Sequence, residues 1–158
     1  MATIKKGHHR PLIPALGLYF NKEKIERKVT FHASCRYAAT SESSINKLFG
    51  IGYFPSHHNN SARFGWKYNA ETDSIDLFAY CYDNGERLSS LSNQHIIASV
   101  NIGIEITLSI TVKETAYIFE INGGTLTIPK TCKTKLGYKL GVYFGGNDTA
   151  PHDIKISI

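Results

Sequence analysis

Apolar and polar residues alternate along two neighbouring stretches in the middle of the chain. Residues 63–68 read RFGWKY, so every second side chain is aromatic, and in residues 75–82, IDLFAYCY, aliphatic or small residues alternate mainly with aromatic ones. A period of two predicts β-strands, the first with one apolar face. The second strand is apolar on both faces, which predicts either burial on both sides or an aromatic face lining a cleft.

The same alternation recurs in short segments. Asp83-Asn84-Gly85 and Asn122-Gly123-Gly124 predict hairpin turns, because Asn and Gly adopt positive φ at low cost. Gly50 and Gly52, within a strand at 48–54, predict a bulge or a close backbone approach. Further strands are predicted at residues 28–33, 86–90, 94–100, 103–112, 117–121, 125–128, 136–144 and 154–158, with an edge strand at best between 12 and 20.

No stretch predicts an amphipathic helix longer than about two turns. About ten short strands separated by turns predict an all-β fold, a two-sheet antiparallel sandwich. The chain has 158 residues, of which 42% are hydrophobic and 20% charged, so we expect one globular domain, residues 12–158. Residues 1–11 are interpreted as a cationic N-terminal arm that is either a free terminus or held by its own domain or a neighbour. Lys5, Lys6 and Arg10 are its candidate partner-binding residues.

The formal net charge of +5 permits contact with nucleic acid, a membrane or an acidic glycan but requires none of them. We expect no nucleic-acid partner, because no aromatic-interleaved basic patch or known motif is present. No apolar run approaches the roughly 20 residues that span a bilayer, and the N-terminus lacks the apolar segment of a secretory signal. Three widely spaced cysteines indicate reduced thiols and a cytoplasmic site of synthesis. A solvated basic face is expected from Lys130, Lys133, Lys135 and Lys139.

Candidate chemistry begins at the polar loop 56–61, which contains the adjacent His57 and His58. These could bind a metal only if His152, Asp148 or Asp153 converged on them, and the spacing is not that of a metal motif. We therefore expect no metal and no cofactor, and imidazoles that hydrogen-bond to backbone.

Arg63 follows this loop on a strand whose other positions are aromatic. It is interpreted either as half of a structural ion pair, with Asp76 or Asp153, or as a ligand-binding residue. Aromatic residues that either fill a core or stack on sugar rings are Phe78, Tyr80, Tyr82, Tyr138 and Tyr143. No nucleophile elbow, phosphate loop or carboxylate pair is present, so no catalytic residue is predicted.

Specific strings resemble a family of small, concanavalin-like jelly-roll proteins of Bacteroidota and of the tailed, crAss-like phages that infect them. The resemblance runs from about residue 31 to 158 and implies a jelly roll and, for the phage members, a virion component. It carries over no catalytic residues. The matching strings are Asn46-Lys47-Leu48-Phe49-Gly50, His57-His58, Asn60-Ser61-Ala62-Arg63, Gly65-Trp66, Ala79-Tyr80, Phe144-Gly145-Gly146 and Ala150-Pro151-His152-Asp153-Ile154.

A weaker similarity is to jelly rolls of the alginate-lyase type. Arg63, the pair Gln94-His95 and the segment Tyr138-Lys139-Leu140-Gly141-Val142-Tyr143 are similar to three strands of one concave face in those enzymes. Gln94 and His95 are adjacent, however, so on a strand they point to opposite faces. The paired Arg of the first strand is also missing, and the similarity supports the fold more than the activity.

Three functions follow as hypotheses. The leading one is a non-enzymatic structural component of a phage particle, a capsid accessory or tail-associated protein made in the host cytoplasm, which contacts other virion proteins or forms a homo-oligomer. The second is a carbohydrate-binding module for a surface glycan, and the third is a polysaccharide lyase or hydrolase. The candidate ligand-binding residues are His57, His58, Asn60, Arg63, Trp66, Tyr80, Tyr143 and His152.

Overall fold

The computed structural model describes residues 1–38, 44–88 and 96–158, and in these ranges the chain forms thirteen β-strands and one 3₁₀ turn, Ala33–Cys35. The all-β prediction is therefore confirmed. None of the described residues forms a helix that is long and apolar enough to cross a membrane. The strands are β1 (Ala2–Ile4), β2 (Leu18–Phe20), β3 (Lys24–Phe31), β4 (Asn46–Tyr53), β5 (Asn60–Asn69), β6 (Ser74–Asp83), β7 (Glu86–Arg87), β8 (Ile96–Asn101), β9 (Glu105–Val112), β10 (Ala116–Ile121), β11 (Gly124–Pro129), β12 (Leu136–Leu140) and β13 (Ile154–Ser157).

Two antiparallel sheets pack face to face. Sheet A has six strands in the order β1-β13-β3-β9-β10-β11, and sheet B has seven, β2-β12-β4-β5-β6-β7 with β8 also paired to β6. The core lies between them: Trp66 of sheet B is 5.3 Å from Phe31 of sheet A, and Phe64 is 5.0 Å from Phe119, between ring centres. Both predicted hairpin turns are present, and Cys81 is a buried core residue as its strand pattern predicts.

Strand β4 contains the predicted irregularity. Lys47 lies opposite Gly65, and Gly50 lies opposite Arg63, so two residues of β4 face one residue of β5 between these pairs. This β-bulge puts Lys47 and Gly50, three positions apart, on the same face of sheet B. A Cβ on Gly50 would lie 2.6 Å from the Cα of Arg63, so the close backbone approach is also confirmed.

Replacing Gly50 by alanine is expected to destabilise the fold by about 1–3 kcal/mol, because the added methyl group overlaps the backbone of β5. Urea unfolding followed by Trp66 fluorescence measures this change. Gly146→Ala is the matched control, because a Cβ there meets no atom within 4 Å. Equal stability of the two variants would contradict the close approach.

The first residues of the chain belong to the sandwich. Residues 2–4 form β1 and pair with β13, and the side chain of Ile4 is only 1% exposed. Lys5 forms an ion pair of 2.7 Å with Asp153, and Gly7 donates a backbone hydrogen bond to Ala150. The segment interpreted as an arm is thus held by its own domain, because it completes the edge of sheet A.

Truncating Ile4 to alanine is expected to cost about 2–4 kcal/mol of unfolding free energy, because the residue fills core space under β13. Ile13→Ala removes the same atoms from a side chain that is 87% exposed, and we expect it to leave stability within about 0.5 kcal/mol. Thermal and urea unfolding of both variants test the difference. A harmless Ile4→Ala would mean that β1 does not contribute to folding.

Candidate functional site

The face of sheet B that points away from sheet A, called the outer face below, carries cationic and aromatic side chains. On β5 and β6, Arg63 lies directly opposite Tyr80, and these residues alternate with core residues of both strands. Tyr82, two residues after Tyr80 on β6, shares this face, and the register of β4 and β12 adds Lys47 and Tyr138.

Two cations flank the ring of Tyr80. The ammonium of Lys47 is 5.1 Å from the ring centre, and the guanidinium carbon of Arg87 is 4.6 Å from it. Lys47 also lies 5.7 Å from the ring centre of Tyr143 and donates a hydrogen bond of 2.9 Å to the carbonyl of Gly145. These contacts bring a predicted ligand-binding residue, Tyr80, together with two cations.

Arg63 is the most enclosed charge of the outer face. It is 7% exposed, and its Nη2 donates one hydrogen bond of 2.6 Å to the carbonyl of Gly141, while its Nε has no partner in the described chain. Within the described chain, Arg63 forms no ion pair with the two predicted partners. Asp76 accepts hydrogen bonds from Asn69 and Ser99, and Asp153 accepts them from the side chain of Lys5 and the backbone N–H of Lys6.

Within the residues described, the ion pairs lie elsewhere and none involves Lys47, Arg63 or Arg87. Two atoms of Arg87, Nε and Nη2, are also buried without a hydrogen-bond partner. Among the described residues, Lys47, Arg63 and Arg87 are thus gathered around Tyr80 without an ion pair, while Asp76, further along the same face of β6, is hydrogen-bonded to Asn69 and Ser99. An arrangement of this kind is electrostatically unfavourable until an anion binds.

Burial and mutual repulsion lower the pKa of the basic groups here. Burial, with smaller contributions from Arg63 and Arg87, lowers the pKa of Lys47 to about 8, and burial lowers that of Arg63 to about 10. Burial, followed by repulsion from His58, Arg63 and Lys47, lowers the pKa of His57 to about 4. At neutral pH, His57 is thus uncharged, whereas Arg63 and most of Lys47 carry their charges.

His57 and His58 lie at one end of the outer face. The hydroxyl of Tyr138 accepts a hydrogen bond of 2.8 Å from the backbone N–H of His57 and lies 3.3 Å from its Nδ1. The ring of His58 stacks on Tyr82 at 5.6 Å. Gly52 makes this possible, because a Cβ there would be 2.9 Å from both His57 and Tyr138.

A cavity of about 850 Å³ adjoins this face beneath residues 10–15. The cavity is lined by His57, Arg63 and Tyr143 and by two further cations, Arg10 and Lys139. The ring of Tyr143 is stacked on His9 at 5.0 Å. Three predicted ligand-binding residues therefore share one cavity wall.

Other predicted ligand-binding residues do not lie on this face. Trp66 is fully buried in the core against Phe31 and Phe144. The side-chain oxygen of Asn60 accepts a hydrogen bond from the N–H of Asn84, which fixes the hairpin turn. The ring of His152 lies 2.8 Å from the carbonyl of Ser34, beside sheet A.

The remaining candidates have structural partners. The side chain of Lys5 and the backbone N–H of Lys6 donate hydrogen bonds to Asp153. Lys130 is not on a solvated face: it is 4% exposed and donates hydrogen bonds to the carbonyls of Glu114 and Cys132. Among the described residues, no group of three or more His, Cys, Asp or Glu side chains is placed to hold a metal ion.

Lys47 and Arg87 were not predicted from the sequence. The hairpin at Asp83-Asn84-Gly85 contained a signal for Arg87, because its register puts Arg87 opposite Tyr82. Lys47 had no such signal, since only the bulge puts it on the outer face. Gln94 and His95, which the similarity to alginate lyases singled out, lie outside the described residues.

No protein-family model matches the sequence, and no curated protein matches it. Solved structures do match. An alginate lyase from Alteromonas sp. 272 is similar with a TM-score of 0.53 and 10% identity over 81% of this chain and 54% of that one. Alginate lyase A1-II′, of polysaccharide lyase family 7, is similar with a TM-score of 0.53 and 12% identity, over 94% of this chain and 69% of the enzyme. Galectin-Ib from Xenopus laevis is similar with a TM-score of 0.49 and 10% identity, over 90% of this chain and 100% of the galectin.

The likeness to the two lyases establishes the fold. The chain is a jelly-roll β-sandwich, with the two-sheet architecture that the lyases share. It spans about half the length of the Alteromonas enzyme, 54%. At 10–12% identity the likeness extends to the fold alone.

Proposed function

We propose that the protein binds an acidic glycan on the outer face of sheet B. The observation that carries this proposal is the enclosed guanidinium of Arg63, which stands with Lys47 and Arg87 and has no carboxylate partner in the described chain. Carboxylates of a uronic acid would supply the missing negative charge, and charge-assisted hydrogen bonds are the stronger kind. The half-buried Tyr80, Tyr82 and Tyr143 lie among these cations, and aromatic rings are side chains on which sugar rings stack.

The polymer that the similar lyases are named for has this chemistry. Alginate carries one carboxylate per sugar, so successive residues can reach successive cations of the outer face. This supports an acidic ligand over a neutral one, because a neutral sugar would leave the charges of Lys47, Arg63 and Arg87 uncompensated.

Titration calorimetry with alginate oligosaccharides tests the proposal, with dextran oligosaccharides of equal length as the neutral control. We expect binding of the acidic sugar that weakens as salt is added, and no binding of dextran. Equal binding of the two sugars would overturn the proposal. So would a broad glycan panel in which the protein binds no sugar, acidic or neutral.

A polysaccharide lyase is a second candidate, favoured by the pairing of His57 with Tyr138 close to Arg63. An uncharged His57 can accept a proton from carbon, a tyrosine hydroxyl can donate one to the leaving oxygen, and Arg63 can neutralise the uronate carboxylate. β-Elimination creates a double bond conjugated with the uronate carboxylate, and this product absorbs ultraviolet light. An absorbance rise that His57→Gln removes would favour the lyase, whereas binding without any rise favours a binding module.

A structural role in a phage particle stays a prediction from the family resemblance. What supports protein–protein contacts is the exposed apolar surface at residues 12–20, where Leu12 is 82% and Ile13 87% exposed. Recovery of the protein in purified particles, and its loss when these side chains are replaced by lysine, would support this role. Absence of the protein from purified particles would contradict this role.

A further inference from the structure

Two adjoining segments expose large apolar side chains. In the segment before β2, Leu12, Ile13 and Leu16 are 82%, 87% and 81% exposed, and in β2 itself Leu18 and Phe20 are 71% and 75% exposed. Phe20 lies opposite Leu136, which is 46% exposed. Single exposed apolar residues are normal in a monomer, but a contiguous group of this size marks an interaction surface.

The backbone of β2 is open on one side. Asn21 donates to the carbonyl of Lys135, and Lys139 donates to the carbonyl of Gly17, so the odd-numbered residues bond to β12. Because bonding direction alternates along a strand, the N–H and C=O groups of Leu18 and Phe20 point to the free edge. The strand Leu18-Tyr19-Phe20 has neither a charge nor a proline to protect that edge.

We propose that β2 pairs with β2 of a second copy of this chain, antiparallel about a two-fold axis. Pairing centred on Tyr19 places Leu18 of one copy beside Phe20 of the other, and each unpaired N–H then meets a carbonyl. A two-fold axis makes an antiparallel contact of identical strands self-complementary. Leu12, Ile13 and Leu16, which precede this edge strand in the chain and are also exposed, add apolar surface next to the pairing.

The dimer joins the two copies of sheet B edge to edge. The two outer faces then form one continuous surface with two sets of Lys47, Arg63 and Arg87. A long acidic polymer can contact both sets, and linked sites bind such a polymer more tightly than either site does. The dimer itself does not depend on glycan binding.

Sedimentation velocity of the full chain at protein concentrations from about 5 to 200 μM tests the pairing. We expect the wild type to sediment at twice the monomer mass, and the double variant Leu18→Lys, Phe20→Lys to be monomeric with a dissociation constant raised about 100-fold or more. Ile104→Lys is the control, because Ile104 is 57% exposed but lies outside this surface. We expect it to leave the dimer intact.

A second variant separates backbone pairing from side-chain packing. Leu18→Pro removes an N–H that points away from β12, so the fold is retained while the pairing is lost; circular dichroism verifies the fold. A monomeric wild type at every concentration would overturn the proposal, as would a dimer that survives both sets of substitutions. Glycan binding by a monomer would leave the proposed function standing while this proposal fails.

Discussion

Replacing Arg63 by methionine is expected to abolish binding of an acidic glycan while leaving the protein as stable as before, or more stable. The affinity should fall about 100-fold or more, because an enclosed charge-assisted hydrogen bond is lost together with the centre of the positive cluster. Methionine fills a similar volume, and the desolvation cost of an enclosed cation, which has no carboxylate partner among the described residues, disappears. The lost hydrogen bond to Gly141 offsets this gain by about 1 kcal/mol.

Calorimetric titration and urea unfolding of the same Arg63→Met preparation measure the two effects. Lys28→Met is the matched control: it removes the same charge from sheet A, where Lys28 is 72% exposed and paired with Glu105. We expect the control to bind normally. A structural role for Arg63 would give the opposite pattern, with a loss of several kcal/mol of stability and unchanged glycan affinity.

The second large effect concerns pH. The affinity for the acidic glycan is expected to fall by about tenfold or more as the pH rises from 7 to 9.5, because the lowered pKa of Lys47, about 8, takes its charge away in this range. Arg63 and Arg87 face Lys47, and Tyr80 and Tyr143 flank it. The pKa of Tyr80 is raised to about 12, mainly by burial, so this ring stays neutral.

Stability should move in the other direction. Between pH 8 and 10.5, the ordinary pKa of lysine, the unfolded chain binds more protons at Lys47 than the folded chain does. The contribution of Lys47 to the free energy of unfolding therefore increases as the pH rises. An enclosed lysine that binds an anionic ligand therefore gives opposite trends as the pH rises: the glycan affinity falls, and the contribution of the lysine to stability increases.

Lys47→Arg isolates this group, because an arginine keeps its charge throughout the range. We expect its glycan affinity to be nearly independent of pH between 7 and 9.5 at constant ionic strength. If wild type and Lys47→Arg lose affinity in parallel, another group controls the pH dependence and the assignment to Lys47 is wrong.

The alternation of residues 63–68 and 75–82 predicted the two strands correctly. For residues 75–82 it left open whether the aromatic face fills a core or lines a cleft, and the structure puts Leu77, Ala79 and Cys81 in the core between the sheets. The two hairpin turns were also predictable, because Asn-Gly sequences specify their backbone locally. Arg63 and Tyr80 were identified as candidates from the same alternation. Trp66 was predicted to be a ligand-binding residue, although the alternation puts it on the other face of the strand from Arg63. In the structure its side chain lies in the core.

The sequence by itself determined the class of fold, since strand periodicity and turn residues act over a few neighbours. Only the tertiary structure decided what the outer face contains. Lys47 lies beside Tyr80 because a bulge shifts the register of β4. The two carboxylates predicted as partners of Arg63, Asp76 and Asp153, are hydrogen-bonded to Ser99 and Lys5 instead. Register and charge pairing depend on residues distant in the sequence, so no local pattern contains them.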